Sequence, residues 1–252
     1  MDTIALVAAV LVTGHVSVLF LGKAAVAYRA VRRIARYGED PTRFGGLVRS
    51  EGNVRMLESF EHPVDRSSCC CWVEREYSGR WSRGGNQVNW GLPEERLEHR
   101  PFLLETPEGL VCVDIGSLAK ATLDVCDHDF SATRREELEV VPAAYRAHFR
   151  ALPRRLQTGA LRENDTVLVY GSSRRPPTPT EGTGTVTSTG YRVAANPPRY
   201  IAELTRADLA SSGVFKGTYA DFTSRCRAEA WTDAAWGLGS LAIGAALVYL
   251  FS

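Results

Sequence analysis

The sequence predicts an α+β fold, a β-rich soluble domain flanked by an N-terminal and a C-terminal transmembrane helix. Two observations predict the helices and a third predicts the domain. Near each end lies an uncharged apolar run as long as a bilayer core is thick, and between the two runs hydrophobic residues recur with the period of two that marks half-buried strands. Long amphipathic helices alternating with strands, which would mark a doubly wound sheet, are not part of the pattern.

The first run, Ile4 to Gly22, reads IALVAAVLVTGHVSVLFLG. As a helix it rises about 28 Å, close to the thickness of a hydrocarbon core. Lys23, Arg29, Arg32, Arg33 and Arg36 follow it, whereas Asp2 is the only charged side chain ahead of it. The positive-inside rule therefore places the following flank in the cytoplasm and the N-terminus outside, and these five basic residues are the candidate membrane-surface set. A cleaved signal peptide is the alternative, because Ala25-Val26-Ala27 has the small residues of a cleavage site. The absence of a basic start and the length of the apolar run argue against it.

The second run, Ala234 to Phe251, reads AAWGLGSLAIGAALVYLF. Arg225 and Arg227 precede it and no charge follows, so it asks for the same orientation as the first. Trp231 and Trp236 at one end, with Tyr249 and Phe251 at the other, suit the two interfaces of a membrane helix. A buried core helix is the alternative, opposed by the lack of any charge in the run. The expected organisation is a transmembrane helix in residues 1–27, a basic juxtamembrane helix and linker in 28–46, the β-rich domain in 47–212, and a connecting segment with the second transmembrane helix in 213–251. The expected location is the cell membrane, with the central domain cytoplasmic and both termini outside.

Small residues recur four apart in both runs, Thr13 with Ser17 and Ser240 with Gly244, a spacing that lets backbones approach and the anchors pack together or dimerise. His15 sits mid-span, and with no second ionisable residue in either run to receive a proton it is expected to be neutral and bonded within a helix pair rather than part of an ion relay. From Tyr28 to Tyr37 the arginines follow helical spacing, which predicts a helix along the lipid headgroups, ended by Gly38 and followed by a linker to Gly46.

In the centre, Leu47 to Val54 and Cys69 to Tyr77 read as strands, the second with Cys69, Cys71, Val73 and Tyr77 on one face. Phe102–Glu105 and Gly109–Ile115 form a hairpin around Thr106-Pro107-Glu108-Gly109, Thr166 to Ser172 is a strong strand, and Tyr191–Ala194 and Tyr200–Leu204 are weaker ones. Ser131 to Leu152 predicts one or two helices interrupted at Pro142, and Thr205 with Asp208 makes a capping box for a short helix through Ser211. Pro176 to Thr185 is expected to be a mobile loop.

A net charge of +1 provides no basic field for nucleic acid, which is excluded as a first partner. The only lysines are Lys23, Lys120 and Lys216, an arginine bias expected of a GC-rich, prokaryotic genome. Phosphate loops, His-Glu-x-x-His, Gly-x-Ser-x-Gly and paired Cys-x-x-Cys motifs are missing, so no cofactor and no catalytic residue is expected. Six cysteines stand at 69, 70, 71, 112, 126 and 226, and a cytoplasmic domain keeps them reduced. Cys69 and Cys71 could supply two metal ligands, and Cys126, His128 and His99 could complete a site on paper. Three adjacent strand residues cannot surround one tetrahedral ion, however, and buried small apolar residues are the competing reading.

Several segments in order carry a resemblance: Leu47-Val48-Arg49-Ser50-Glu51-Gly52-Asn53-Val54, Cys71-Trp72-Val73-Glu74-Arg75-Glu76 leading to Trp81, and Arg100-Pro101-Phe102-Leu103-Leu104-Glu105 followed by Gly109-Leu110-Val111-Cys112-Val113. Gly159 to Gly171, and Arg199 to Ser212 ahead of the second apolar helix, extend it. Together they resemble the GIDE family, also called the beside-a-membrane (BAM) domain, over about Leu47 to Phe251. The resemblance implies a two-span membrane protein whose domain between the spans binds partners. The family includes a mitochondrial E3 ubiquitin ligase, whose activity resides in a RING beyond the second helix. Here the sequence reaches Ser252 directly after that helix, so no RING is expected, and without its zinc ligands a RING has no core. The expected function is an interaction module that meets a protein or lipid partner at the membrane, with homo-oligomers as a further possibility. The alternative is a component of a ubiquitin-type protein modification system, E3-like by resemblance.

Overall fold

The computed structural model describes residues 3–37, 47–115, 123–174, 198–199, 201–203 and 212–251. These residues form two compact units, a pair of terminal helices and a β-rich domain spanning Tyr37–Thr218, and the fold is α+β. The linker ahead of Leu47, the loop from Pro176, the strand at Tyr191 and the capping box at Thr205 lie outside the described residues.

In the helix unit, α1 (Thr3–Ile34) and α2 (Tyr219–Phe251) contain 32 and 33 residues, each about 50 Å long. Both are long and apolar enough to cross a membrane. They run antiparallel, with Gly237 against Leu21 and Gly244 against Thr13. A Cβ at Gly244 would lie 2.6 Å from Thr13 Oγ1, and one at Gly237 would lie 2.8 Å from Leu21 Cγ, so only glycine lets the backbones come this close. The less exposed positions repeat every seven residues, with Val10, Thr13, Ser17, Phe20, Ala24 and Ala27 on α1 and Ala230, Asp233, Gly237, Ser240, Gly244 and Leu247 on α2. That period is the signature of a helix-pair seam. Both α1 hydroxyls on the seam satisfy themselves along their own helix: Thr13 Oγ1 donates to Ala9 O and Ser17 Oγ to Thr13 O.

The domain opens with β1 (Leu47–Met56), the short pair β2 (Phe60–Glu61) and β3 (Ser68–Cys69), then β4 (Cys71–Trp81), β5 (Val88–Trp90) and β6 (Glu94–His99). It continues with β7 (Phe102–Thr106), β8 (Gly109–Asp114), β9 (Leu123–Asp124), β10 (His128–Ala132), β11 (Arg154–Leu161), β12 (Thr166–Arg174), β13 (Ile201–Glu203) and β14 (Gly213–Lys216). Pairings β1–β7, β7–β8, β8–β13, β13–β12 and β12–β1 close a ring, with β14 and β9 added beside β12. Closure leaves these strands with one inner face, which Val48, Val54, Phe102, Leu104, Val111, Val113, Val167, Val169 and Ala202 fill. The second sheet runs β10-β11-β4, with β5 and β6 sharing the outer edge of β4.

The predicted hairpin of β7 and β8 is present, its turn fastened by Thr106 Oγ1 donating to Gly109 O at 2.7 Å. The region from Ser131 to Leu152 differs from expectation. Ser131 and Ala132 pair with β11, and two short 3-10 segments, Arg135–Glu139 and Ala143–Phe149, follow on either side of Pro142. Segments this short, neither with a side-chain cap, close the tighter turn rather than an α-helix. Residues 213–216, expected in a connecting segment, are β14 and pair with β12.

Two backbone approaches inside the domain are closer than any side chain allows, Gly52 against Glu105 and, tighter still, Gly159 against Val125. A Cβ at Gly159 would lie 1.9 Å from Val125 O. Gly159→Ala is therefore expected to cost about 3 kcal/mol or more in a urea unfolding experiment on the purified chain, because only backbone could move away. In the helix unit, Cβ positions of residues 13 and 244 lie 3.4 Å apart, near disulfide geometry. The pair Thr13→Cys with Gly244→Cys is expected to close an intramolecular disulfide on mild oxidation, seen as a faster-migrating monomer band.

Candidate functional site

The cysteine triplet resolves first, because the strand predicted from Cys69 to Tyr77 is broken. A bend at Cys70 separates β3 from β4, with Cys70 N donating to Leu161 O at 3.0 Å and Cys70 O accepting from Arg100 N at 2.7 Å. The bend lets all three neighbours turn inward, and each is fully buried. Burial pushes the Cys69 thiol up to about 11 and Cys70 up to about 12, and holds Cys71 well above its ordinary range. Thiols so disfavoured as thiolates serve as small apolar groups. Among the described residues no three His, Cys, Asp or Glu side chains converge to hold a metal ion. Cys126 instead accepts from Arg75 Nη1 at 3.5 Å, His128 stacks on Phe130, and His99 pairs with Cys71 across β6 and β4.

The chemistry-bearing cluster lies on the other face of β4. Alternation sends Cys71 and Val73 into the main core and Trp72, Glu74 and Glu76 to the opposite side. Thr158 of β11 stands directly across from Glu74, and Ala160 across from Trp72. The segment Ala143–Phe149 contributes His148, whose Nε2 lies 3.8 Å from Glu74 Oε1 and whose Nδ1 lies 3.8 Å from Glu76 Oε2. Arg154 Nη1 holds the other Glu76 oxygen at 3.0 Å. From the turn after β2 comes His62, edge-on to the Trp72 ring at 6.1 Å. A small apolar cluster of Ala132, Val141, Tyr145, Phe149 and Leu156 walls the same face.

Among the described residues, four buried side-chain atoms without a hydrogen-bond partner gather here: His62 Nε2, Trp72 Nε1, Glu74 Oε1 and Thr158 Oγ1. Glu74 is only 4 % exposed, and a buried carboxylate oxygen without a hydrogen bond, with only His148 at 3.8 Å, is costly. An acceptor, an indole donor, a hydroxyl and an imidazole nitrogen make the inventory that satisfies internal water or a small polar molecule. Sequence reading missed this site. Its one signal was two glutamates at alternate positions on a strand with a buried opposite face.

A network of charges borders the cluster. Arg162 spans Asp65 and Asp127 at 2.9 and 3.4 Å, and Lys216 bridges Asp127 and Asp165 at 2.9 and 3.0 Å. Hydrogen bonds from Ser67, with His62 and Arg162 nearby, outweigh desolvation and hold the Asp65 carboxyl down to about 2. Elsewhere, an open groove of about 280 Å³ is lined by Arg49, Ser50, Glu51, Thr106, Pro107, Glu108 and Arg199, with Arg199 paired to Glu108.

Lys23, Arg29, Arg32 and Arg33 of the predicted basic set lie on α1, and Arg36 in the turn just past its end. Lys23, Arg29, Arg32 and Arg36 are exposed, Lys23 Nζ lying 5.5 Å from the Phe20 ring centroid and the Arg32 guanidinium 4.9 Å from that of Tyr28. The Arg33 side chain lies outside the described residues. The expected headgroup helix is not a separate element: residues 28–34 continue α1 without a break. Given the antiparallel contacts, Arg225 and Arg227 of α2 lie at this same basic end. His15, expected to bond within the helix pair, instead faces away from α2 and is exposed. No protein-family model, curated protein or solved structure matches the chain.

Burial holds the His62 imidazole below its ordinary value, outweighing the carboxylates of Asp65 and Glu74. A depressed histidine pKa means that the unfolded chain binds the proton more readily, so this stabilisation is complete above the unfolded value of about 6.5 and is lost as pH falls. His99 is shifted the same way by burial. Denaturant unfolding is expected to show stability falling from pH 7 toward pH 5, and His62→Gln is expected to flatten that slope.

Proposed function

We propose that this chain is a two-span integral membrane protein whose β-rich domain is an interaction module held beside the bilayer. The observation that carries the reading is the outward surface of the helix pair. Val7, Leu11, Val12, Val18 and Leu19 of α1 and Leu238, Leu241, Ile243 and Val248 of α2 are exposed, and the protein itself covers almost none of either apolar window. Helices apolar on the outside as well as along their seam need lipid around them. A soluble core helix would be buried.

The depth of each side chain supports the same assignment. Lys23 and Trp236 stand near one depth, and from there the apolar segment runs about 30 Å along α1 to Thr3 and about 20 Å along α2 to Tyr249. Basic residues gather beyond Lys23, and the positive-inside rule puts that end and the domain attached to it in the cytoplasm, with both termini outside. Lys23 and Arg29 then meet the headgroups, and Arg32 and Arg36 continue past them as the helix leaves the membrane. Two tethers hold the domain at the surface, where weak contacts gain from effective concentration. The GIDE-like reading is part of this proposal, and what supports it is the resemblance of the sequence segments themselves, of which Arg199 to Ser212 lies largely outside the described residues.

Carbonate washing of membranes from cells expressing the full chain is expected to leave it in the pellet. Leu241→Arg, which puts a charge on the outward face costing about 3 kcal/mol at mid-depth, is expected to reduce the retained fraction. Protease added to intact cells should leave the domain undigested, and proximity labelling from the domain should recover a membrane-associated protein. Release by carbonate of the unaltered chain sinks the reading.

A further inference from the structure

We propose that the face of α1 turned away from α2 is a dimerisation surface, on which a second copy of this chain docks so that the two His15 side chains meet within the bilayer. The inference rests on the membrane reading above and adds a partner to it.

His15 is a polar, ionisable side chain near the middle of the apolar segment. It stands two positions from Ser17, the most deeply buried residue of the α1 seam, which turns it about 160° around the helix and away from α2. It is exposed, and no other side chain or backbone group bonds to it among the described residues. In water this would be unremarkable. In hydrocarbon an imidazole whose donor and acceptor are both empty is costly, and such residues face other helices rather than lipid.

The residues around it form a second seam. Ala8, Leu11, His15, Val18, Gly22 and Ala25 are all exposed and follow the alternating three- and four-residue spacing of a helix-pairing stripe, on the opposite side from the first. Above and below His15 this stripe carries alanine and glycine one heptad away in each direction. A Cβ placed at Gly22 would meet nothing within 4 Å, so the surface is open to close approach.

The chemistry selects a second copy as the occupant. Every copy crosses the membrane in the same direction, so a two-fold axis along the bilayer normal sets His15 opposite His15 of the second copy at equal depth. A neutral imidazole has one donor and one acceptor, which makes the pair self-complementary, with N–H of one ring donating to the bare nitrogen of the other. A single polar residue in an otherwise apolar seam also fixes register in a parallel helix pair. Leu11 and Val18 pack against their counterparts on either side.

The full chain, labelled with one fluorophore and reconstituted in phosphatidylcholine vesicles, should bleach in two steps at a protein-to-lipid ratio where His15→Leu bleaches in one. His15→Leu should weaken the dimer about tenfold, and His15→Asn, which keeps a donor and an acceptor, should retain it. In a Cys126→Ser, Cys226→Ser background that keeps His15, cysteines at 11 and 18 should cross-link between copies on oxidation, and cysteines at 12, 16 and 19 should not. Carbonate-resistant protein that bleaches in single steps, dimers indifferent to His15→Leu, more than two steps, or uniform cross-linking each overturns the dimer while leaving the two-span reading intact. Failure of the unaltered chain to insert overturns the two-span reading itself.

Discussion

The close approach of α1 and α2 is the constraint from which the arrangement of this chain follows. Glycine at 237 and 244 removes the side chains that would hold the backbones apart, and Leu21 and Thr13 occupy the space. An antiparallel pair sealed this way turns its first and last residues toward one end and its charged segments toward the other. The chain leaves α1 and enters α2 at the basic end, and away from that end the surface of the pair is almost wholly apolar. The α1 hydroxyls on the seam cause no difficulty, since Thr13 and Ser17 donate to carbonyls of their own helix. In the bilayer proposed above a polar group on the outside would have no such recourse, which is why His15 carries more information than its size suggests.

In the β domain the corresponding constraint is that β4 is covered on both faces. Its inner face, with Cys71 and Val73, joins the ring of strands in one apolar core. The outer face cannot be solvated because the Ala143–Phe149 segment and the turn carrying His62 lie over it, so Glu74, Thr158 and Trp72 are polar residues in an enclosed place. Burying them lowers stability unless something satisfies them, and such groups persist in native proteins when a bound water, a ligand or a task holds them there. The charges of Arg162, Lys216, Asp65, Asp127 and Asp165 join elements distant in sequence around the cluster. About a quarter to a third of each of these side chains remains exposed, and solvent screening keeps their contribution to stability modest.

Legibility from sequence followed the range of the interactions. The two apolar helices, β1, the β7–β8 hairpin and β12 were readable because period and length are local properties. The short strands β5, β6, β9 and β14 were not, since two to six residues carry too little pattern and owe their extended form to a neighbour. The bend at Cys70 was invisible because it is made by Leu161 and Arg100, one distant in sequence. The polar cluster was hidden for the same reason: Glu74 and Thr158 are 84 positions apart and become adjacent only in the β4–β11 register.

The sequence by itself determined that two segments suit hydrocarbon, that positive charge lies on one flank of each, and that the middle is β-rich. Those are properties of composition and periodicity, and they survive any arrangement of the parts. Only the tertiary structure decided which face of each helix is used, that the strands close into a ring, and that histidine, tryptophan, glutamate and threonine share one buried patch. These depend on register, and register is set by the fit of surfaces that meet only after the chain has folded.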